Sequence, residues 1–180
     1  MHERQEIEIK LRTTSPEAAR EAVQRLGAQR VRLRHFEDNV IFDDGEESLR
    51  ATGTVLRLRR TPAGGVLTFK GPRRLEGDLK TREERETAVE DAEEVRAILA
   101  RLGYRPVFRY QKYRESWSWK GQEIEVDETP IGTFIEIEGD AEGIRAAAAA
   151  LGYRPEDFIT ESYVGLYFAS GGKGDMVFSE

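Results

Sequence analysis

The chain has 180 residues, a net charge of −6 and no cysteine. That length suits one domain with a sizeable apolar core, the missing thiols exclude disulfides, a thiolate nucleophile and a zinc–thiolate site, and the acidic balance argues against nucleic acid as a partner. No apolar run approaches bilayer length, and Met1-His2-Glu3-Arg4-Gln5 lacks the apolar stretch of a signal peptide, so a cytoplasmic location with no membrane partner is expected.

Gln5–Arg12 alternates as a strand, with Glu6, Glu8 and Lys10 on one face and Ile7, Ile9 and Leu11 on the other. Ser15 then reads as an N-cap, Pro16 as a first helical residue and Gly27 as a C-cap glycine, framing a helix over Pro16–Leu26. Arg30, Arg32 and Arg34 read as an exposed basic strand, and Glu37–Asp43 as the next strand proper. A flexible Asp43–Glu47 precedes strand Thr54–Arg60, whose Arg57 and Arg59 oppose Leu56 and Leu58. Strand Gly65–Lys70 sets Thr68 and Lys70 against Leu67 and Phe69. After a flexible Gly71–Gly77, strand Asp78–Val89 aligns Arg82, Glu84 and Glu86.

A helix over Ala92–Leu102 leads into strand Val107–Trp119, where Lys112 and Arg114 face away from Tyr113 and Trp117. Gln122–Asp127 sets Glu125 and Asp127 against Ile124 and Val126, and Thr133–Glu138 sets Glu136 and Glu138 against Ile135 and Ile137. Helices follow at Ala141–Leu151 and near Glu161–Ala169. Leu102-Gly103-Tyr104-Arg105-Pro106 recurs as Leu151-Gly152-Tyr153-Arg154-Pro155, a modest repeat that ordinary helix capping also explains. The domain is read as residues 1–170, with 171–180 a flexible tail.

An antiparallel sheet ordinarily turns such polar faces to water. Here nearly every strand is charged on one face, acidic at the chain's two ends and basic in its middle. Eight strands can close into a barrel with those faces inward. As a dry core the lumen would be unstable; as a wet channel it suits metal and polyanion. Magnesium binds through one or two carboxylates plus substrate phosphates. Arg57, Arg59, Lys70, Lys112 and Arg114 supply clamps of the kind phosphoryl transfer uses, and no protein nucleophile is required.

Other features have plainer readings. With His2 and His35 the only histidines, a multi-histidine metal site is excluded. His35 reads as a strand-end residue with no carboxylate to orient it. Trp117 and Trp119 read as core rather than as a base-stacking platform. Arg73 and Arg74 read as a substrate lid or merely a soluble loop. Gly171-Gly172-Lys173-Gly174 lacks the strand and helix that would flank a phosphate loop.

The charged residues form an ordered set that resembles the CYTH superfamily, the triphosphate tunnel metalloenzymes. These include class IV adenylyl cyclases, thiamine triphosphatases and inorganic triphosphatases. Glu6, Glu8 and Lys10 match ExExK; Leu56-Arg57-Leu58-Arg59 matches LRxR; Thr68-Phe69-Lys70 matches TxK. Arg82, Glu84 and Glu86 match RxExE, and Lys112 and Arg114 match KxR. The stretch from Asp127 through Gly132, Phe134, Glu136 and Glu138 matches a further segment, and Ser162-Tyr163 a C-terminal pair.

The resemblance implies an α+β fold, an eight-stranded antiparallel β-barrel (tunnel) with a charged lumen and flanking helices. It implies that Glu6, Glu8, Glu136 and Glu138 hold Mg²⁺ or Mn²⁺, with Asp127 or Glu84 and Glu86 as further ligands. Lys10, Arg57, Arg59, Lys70, Arg82, Lys112 and Arg114 would grip a triphosphate-bearing small molecule, and Glu6, Glu8 and Lys10 would act in catalysis. Glu161 departs from the basic residue that several members carry before the final Ser-Tyr, which weakens a thiamine triphosphatase assignment. Hydrolysis of inorganic, nucleoside or other organic triphosphates is the leading expectation. Cyclisation of ATP to cyclic AMP and pyrophosphate is the alternative, and a non-catalytic polyphosphate- or nucleotide-binding module the second. A homodimer is left open.

Overall fold

The structure, a computed structural model, describes residues 5–179; His2 lies outside them. Its strands are β1 (Gln5–Thr13), β2 (Gln29–Asp43), β3 (Val55–Thr61), β4 (Gly64–Lys70), β5 (Arg74–Glu76), β6 (Leu79–Val89), β7 (Arg105–Trp119), β8 (Gln122–Thr129) and β9 (Gly132–Glu138). The helices are α1 (Pro16–Arg25), α2 (Ser48–Ala51), α3 (Ala92–Arg101), α4 (Ala141–Ala150) and α5 (Tyr163–Ala169). Sheet order is β1-β9-β8-β7-β2-β3-β4-β6, and β6 pairs back onto β1. Eight antiparallel strands therefore close into the expected barrel, and β5 adds a short ninth against β6.

Local chemistry sets the register. Lys120 and Gly121 both adopt positive φ (48° and 86°) in a two-residue turn between Trp119 and Gln122. That turn's twist matches the strands it joins. The Ser15 hydroxyl caps α1 by accepting from the Ala18 amide at 3.1 Å, and the Asp140 carboxylate caps α4 through the Gly143 amide at 2.8 Å.

The apolar core lies outside the barrel. Outward-facing Ile9, Leu11, Ile124, Ile135 and Ile137 are fully buried against Ala19 and Val23 of α1 and against Ile144, Ala147 and Ala148 of α4. Trp117 packs in this cluster with Trp119 beside it, as core residues should. Leu99 of α3 covers Phe42 and Leu58 on the far side. Helices on the outer face leave the alternate, charged positions of each strand no place but the interior.

Several pieces differ from their sequence reading. β2 starts at Gln29, so the arginine-rich run is part of the long β2–β7 ribbon. Two of its charges are paired: Arg30 with Glu115 at 3.2 Å and Arg34 with Glu128 at 2.8 Å. The stretch after β2 is tied down by Asp43, whose carboxylate accepts from the amides of Leu49 and Arg50 in α2. The segment after α5, read as flexible, docks on β7. β8 pairs with β7 only from Tyr113 onward, leaving an open edge before it. Met176 fills this edge, donating to Arg109 O at 3.0 Å and accepting from the Gln111 amide at 2.9 Å; its side chain is buried. Ile159 closes a matching gap beside Lys10 through two 2.9 Å backbone bonds.

Candidate active site

The barrel encloses a cavity of about 1040 Å³, and its walls carry the alternate residues of every long strand. Register decides what meets there. Glu8 lies beside Glu138 and Lys10 beside Glu136 across β1 and β9, and Glu136 lies beside Glu125 across β8 and β9. These three strands form an acidic arc. In a ring of eight strands, β9 stands four places from β3, so Glu136 and Glu138 look across the lumen toward Arg57 and Arg59.

Most of the inward cations are held by neighbouring acids. Lys10 Nζ lies 2.8 Å from Glu8 and 3.1 Å from Glu136. Lys70 lies 2.8 Å from Glu6 and 2.9 Å from Glu84. Arg57 and Arg59 both reach Glu86, at 3.1 and 3.2 Å, and Arg59 also reaches Glu37 at 3.5 Å. Arg114 binds Asp127 at 2.6 Å and Glu136 at 2.8 Å.

The acids divide by environment. Burial alone would raise Glu8 and Glu136, but the lysines and arginines beside them outweigh it and hold both carboxyls below the usual range. Among the described residues Glu138 has no such partner: burial, then the charges of Glu6, Glu136 and Glu8, push it up to about 8. Burial and a hydrogen bond with Glu6 lift Glu84 to about 7. Burial also raises Glu125 well above its ordinary value.

This donor set fits a hard divalent cation. It is all oxygen, when fully ionised it carries more negative charge than its lysines neutralise, and among the described residues Glu6 Oε2 and Glu125 Oε2 are buried without a hydrogen-bond partner. Among the described residues no three carboxylates yet converge on one point; Lys10, Lys70 and Lys80 stand between them. A cation bound by Glu6, Glu8, Glu136 and Glu138 would free those lysines.

The cavity wall gathers Glu6, Glu8, Lys10, Arg57, Arg59, Lys70, Arg82, Glu84, Glu86, Lys112, Arg114, Glu136 and Glu138. Arg82 is engaged elsewhere, donating to Gly71 O from Nε at 3.0 Å and so pinning the β4–β5 loop. Asp127 lies beneath the wall, wholly buried. Its oxygens are taken by Lys112 at 3.0 Å, Arg114 and the Tyr163 hydroxyl at 2.8 Å. It anchors two cations and does not line the cavity.

Sequence reasoning passed over Lys80, whose ammonium binds Glu8, and Glu37, held by Lys112, His35 and Arg59. It also passed over Tyr110, whose hydroxyl accepts from Arg57 at 3.2 Å. All three sit two positions from a residue that was singled out or on the same alternation, so the period-2 rule was enough to find them. Tyr163 arrives on a helix, where no strand period applies; Lys10 Nζ lies 5.1 Å from its ring centre. His35 was read as having no carboxylate neighbour, yet its Nε2 lies 3.4 Å from Glu37 because the β2 strand runs through both residues.

Residues 4–163 match the CYTH domain family model, and the chain belongs to that family. A provisionally named adenylate cyclase of Methanocaldococcus jannaschii is 31% identical over 134 residues, 74% of this chain and 75% of that protein. Among solved structures, a provisionally named adenylate cyclase from Vibrio parahaemolyticus superposes with a TM-score of 0.77 at 22% identity, covering 88% of this chain and 95% of that one. A Hippeastrum protein, provisionally named an adenylyl cyclase and described as having a dominant triphosphatase activity, superposes with a TM-score of 0.68 at 23% identity, covering 93% and 97%. At those identities the two structures speak for the fold alone.

Proposed function

We propose that this chain is a divalent-cation-dependent enzyme that hydrolyses triphosphates inside its barrel. The observation that carries the reading is the cavity within the closed barrel, in which inward Arg57, Arg59, Lys112 and Arg114 face inward Glu6, Glu8, Glu136 and Glu138. Buried charge of both signs is a poor stabilising device. It suits a site whose ligand is itself highly charged and arrives with cations.

A condensed phosphate chain displaces Glu86 and Glu37 from Arg57 and Arg59, trading a carboxylate for a phosphate on a planar fork suited to either. Lys112 and Arg114 do not swing with it, since Asp127 fixes them. Glu6, Glu8, Glu136 and Glu138 would hold Mg²⁺ or Mn²⁺, which would supply charge neutralisation on the phosphoryl oxygens and a lowered pKa for water. Glu6 and Glu8 position the attacking water, and Lys10, released from Glu8 and Glu136 by the cation, steadies the charge that develops on the transferred group.

A second reading rests on the 31% identity to the relative named an adenylate cyclase. There the ribose 3′-hydroxyl attacks the α-phosphate and pyrophosphate leaves, gripped by the same cations. A third reading is a binder that turns nothing over. One incubation series separates them: tripolyphosphate, ATP and thiamine triphosphate, each with Mg²⁺ or Mn²⁺, with products resolved by chromatography. Free phosphate is the expected product. Cyclic AMP with pyrophosphate replaces the hydrolase by the cyclase, and tight binding without turnover leaves only the binder.

A further inference from the structure

The inward row of β2 includes Glu37, Asn39 and Ile41, and Glu37 and Ile41 line the cavity. Asn39 does not: it is 0% exposed and lies beneath the wall. Its neighbours across the sheet are Arg59 on β3 and Tyr110 on β7, and both of these line the cavity. Among the described residues, neither Oδ1 nor Nδ2 of Asn39 has a hydrogen-bond partner. A buried amide idle at both polar atoms destabilises a fold. A leucine has nearly the same shape and none of that penalty, so the fold alone gives no reason for an amide here.

Other polar atoms at this spot are idle too. Arg57 Nε, Arg59 Nε and Glu37 Oε2 are buried and, among the described residues, have no hydrogen-bond partner. Asn39 offers an acceptor to those guanidinium donors and a donor to that carboxylate. The set is complementary in kind yet unpaired, and the cause is where the arginine forks point. Arg59 turns Nη1 to Glu37 at 3.5 Å and Nη2 to Glu86 at 3.2 Å. Arg57 turns Nη1 to the Tyr110 hydroxyl at 3.2 Å and Nη2 to Glu86 at 3.1 Å. Residues directly opposed on antiparallel strands have Cβ atoms about 4.5–5.5 Å apart. The Asn39 amide is therefore in reach of Arg59 Nε once the fork turns.

We infer that Asn39 is a positioning residue that locks Arg59 in its phosphate-gripping pose, Oδ1 accepting from Arg59 Nε when a phosphate chain takes both Nη groups. This deepens, and rests on, the triphosphate reading of the lumen. In the free protein Glu37 and Glu86 hold the fork, and Asn39 is left unpaired behind it. In the bound protein the phosphates hold the fork in front and Asn39 steadies it from behind. Binding thus gains a hydrogen bond to a charged group and satisfies an amide that the free fold leaves idle. The cost to the free fold becomes a contribution to affinity.

The test is a double-mutant cycle of wild type, Asn39→Leu, Arg59→Ala and the double variant. The probe is the imido analogue of tripolyphosphate, which resists hydrolysis, with Mg²⁺, and binding is followed by calorimetry beside melting curves of the free proteins. Asn39→Leu is expected to melt no lower than wild type, yet to bind roughly tenfold more weakly, the scale of one hydrogen bond to a charged group. In the Arg59→Ala background the same substitution should change affinity by less than about twofold, because the residue it acts through is gone. Asn39→Ala, which cannot crowd the site, repeats the cycle should leucine not fit. Unchanged affinity in the single Asn39 variants, or an equal loss in both backgrounds, overturns the inference and leaves the lumen's reading intact. Failure of the wild type to bind the analogue overturns the proposed function and the inference with it.

Discussion

Strand β1 buries both of its faces, on opposite terms. Outward, Ile9 and Leu11 are 0% exposed against the helices; inward, Glu8 and Lys10 are 4% and 3% exposed against other charges. Outer burial removes apolar surface from water, worth about 25 cal/mol per Å². Inner burial strips water from ions, and pairing about repays the cost. The barrel's stability therefore comes from its outside. Its inside adds little net stability and keeps its charges available to a ligand. Substitutions on the two faces should separate activity from stability.

The largest effects are expected inside. Arg59→Ala and Glu138→Gln should each lower turnover by about 100-fold or more, the scale of losing one group that stabilises transition-state charge, while thermal midpoints stay close to wild type. Glu37 keeps Lys112 and His35, and Glu86 keeps Arg57, when Arg59 is removed, so no bare charge is stranded. Initial rates and melting curves on the same preparations decide it. Near-normal rates in both variants would remove these residues from the site.

The outer face should behave the other way. Ile9→Ala removes a fully buried side chain from the cluster between barrel and helices and should cost about 2–5 kcal/mol. Urea unfolding measures the loss. Turnover per folded molecule should stay within about twofold; a large drop would show that the lumen's geometry depends on outer packing.

Both the barrel and this division were legible in the sequence because one rule, strict alternation, governs both faces of a strand. Alternation alone fitted a half-exposed sheet equally well. What separated the readings was the sign of charge: acids on the first and last strands and bases between them made sense only if the strands met around a ring. The rule fails where residues act off-strand. Tyr163 comes from α5 and Met176 from a glycine-rich stretch, and each contributes through an edge or a gap that exists only once the barrel has closed. Asp127 alternates correctly into the wall yet sits below it, because Lys112 and Arg114 on the next strand reach down to it, and spacing says nothing of side-chain length.

A smaller effect is expected from pH. Folded Glu138 keeps its proton to about 8, against an ordinary 4.5. Between those values the folded chain binds more protons than the unfolded one, so stability falls as pH rises through that window and is flat outside it for this group. Glu84 adds to the fall up to about 7. Glu138→Gln should flatten the decline of the melting midpoint between pH 5 and 8 (roughly the window those values set), and Mg²⁺ should flatten it in the wild type by favouring the ionised carboxylates. A wild-type midpoint that rises across this range would contradict the charge surplus on the acidic arc.

The smallest effect is expected where charge meets charge in water. Arg60, one residue from Arg59, points outward and pairs with Glu93 at 2.5 Å and Asp38 at 3.3 Å. By distance these contacts rival any in the lumen, yet the Arg60 side chain is 45% exposed and that of Glu93 64%. Solvent and salt screen such pairs to about 1 kcal/mol or less, and Asp38 keeps Arg109 at 2.8 Å when Arg60 is gone. Arg60→Ala should therefore shift urea unfolding by under about 1 kcal/mol and leave turnover unchanged. A loss of several kcal/mol would mean that outer charge, and not only outer apolar surface, holds the wall together, and the contrast between the two faces would have to be redrawn.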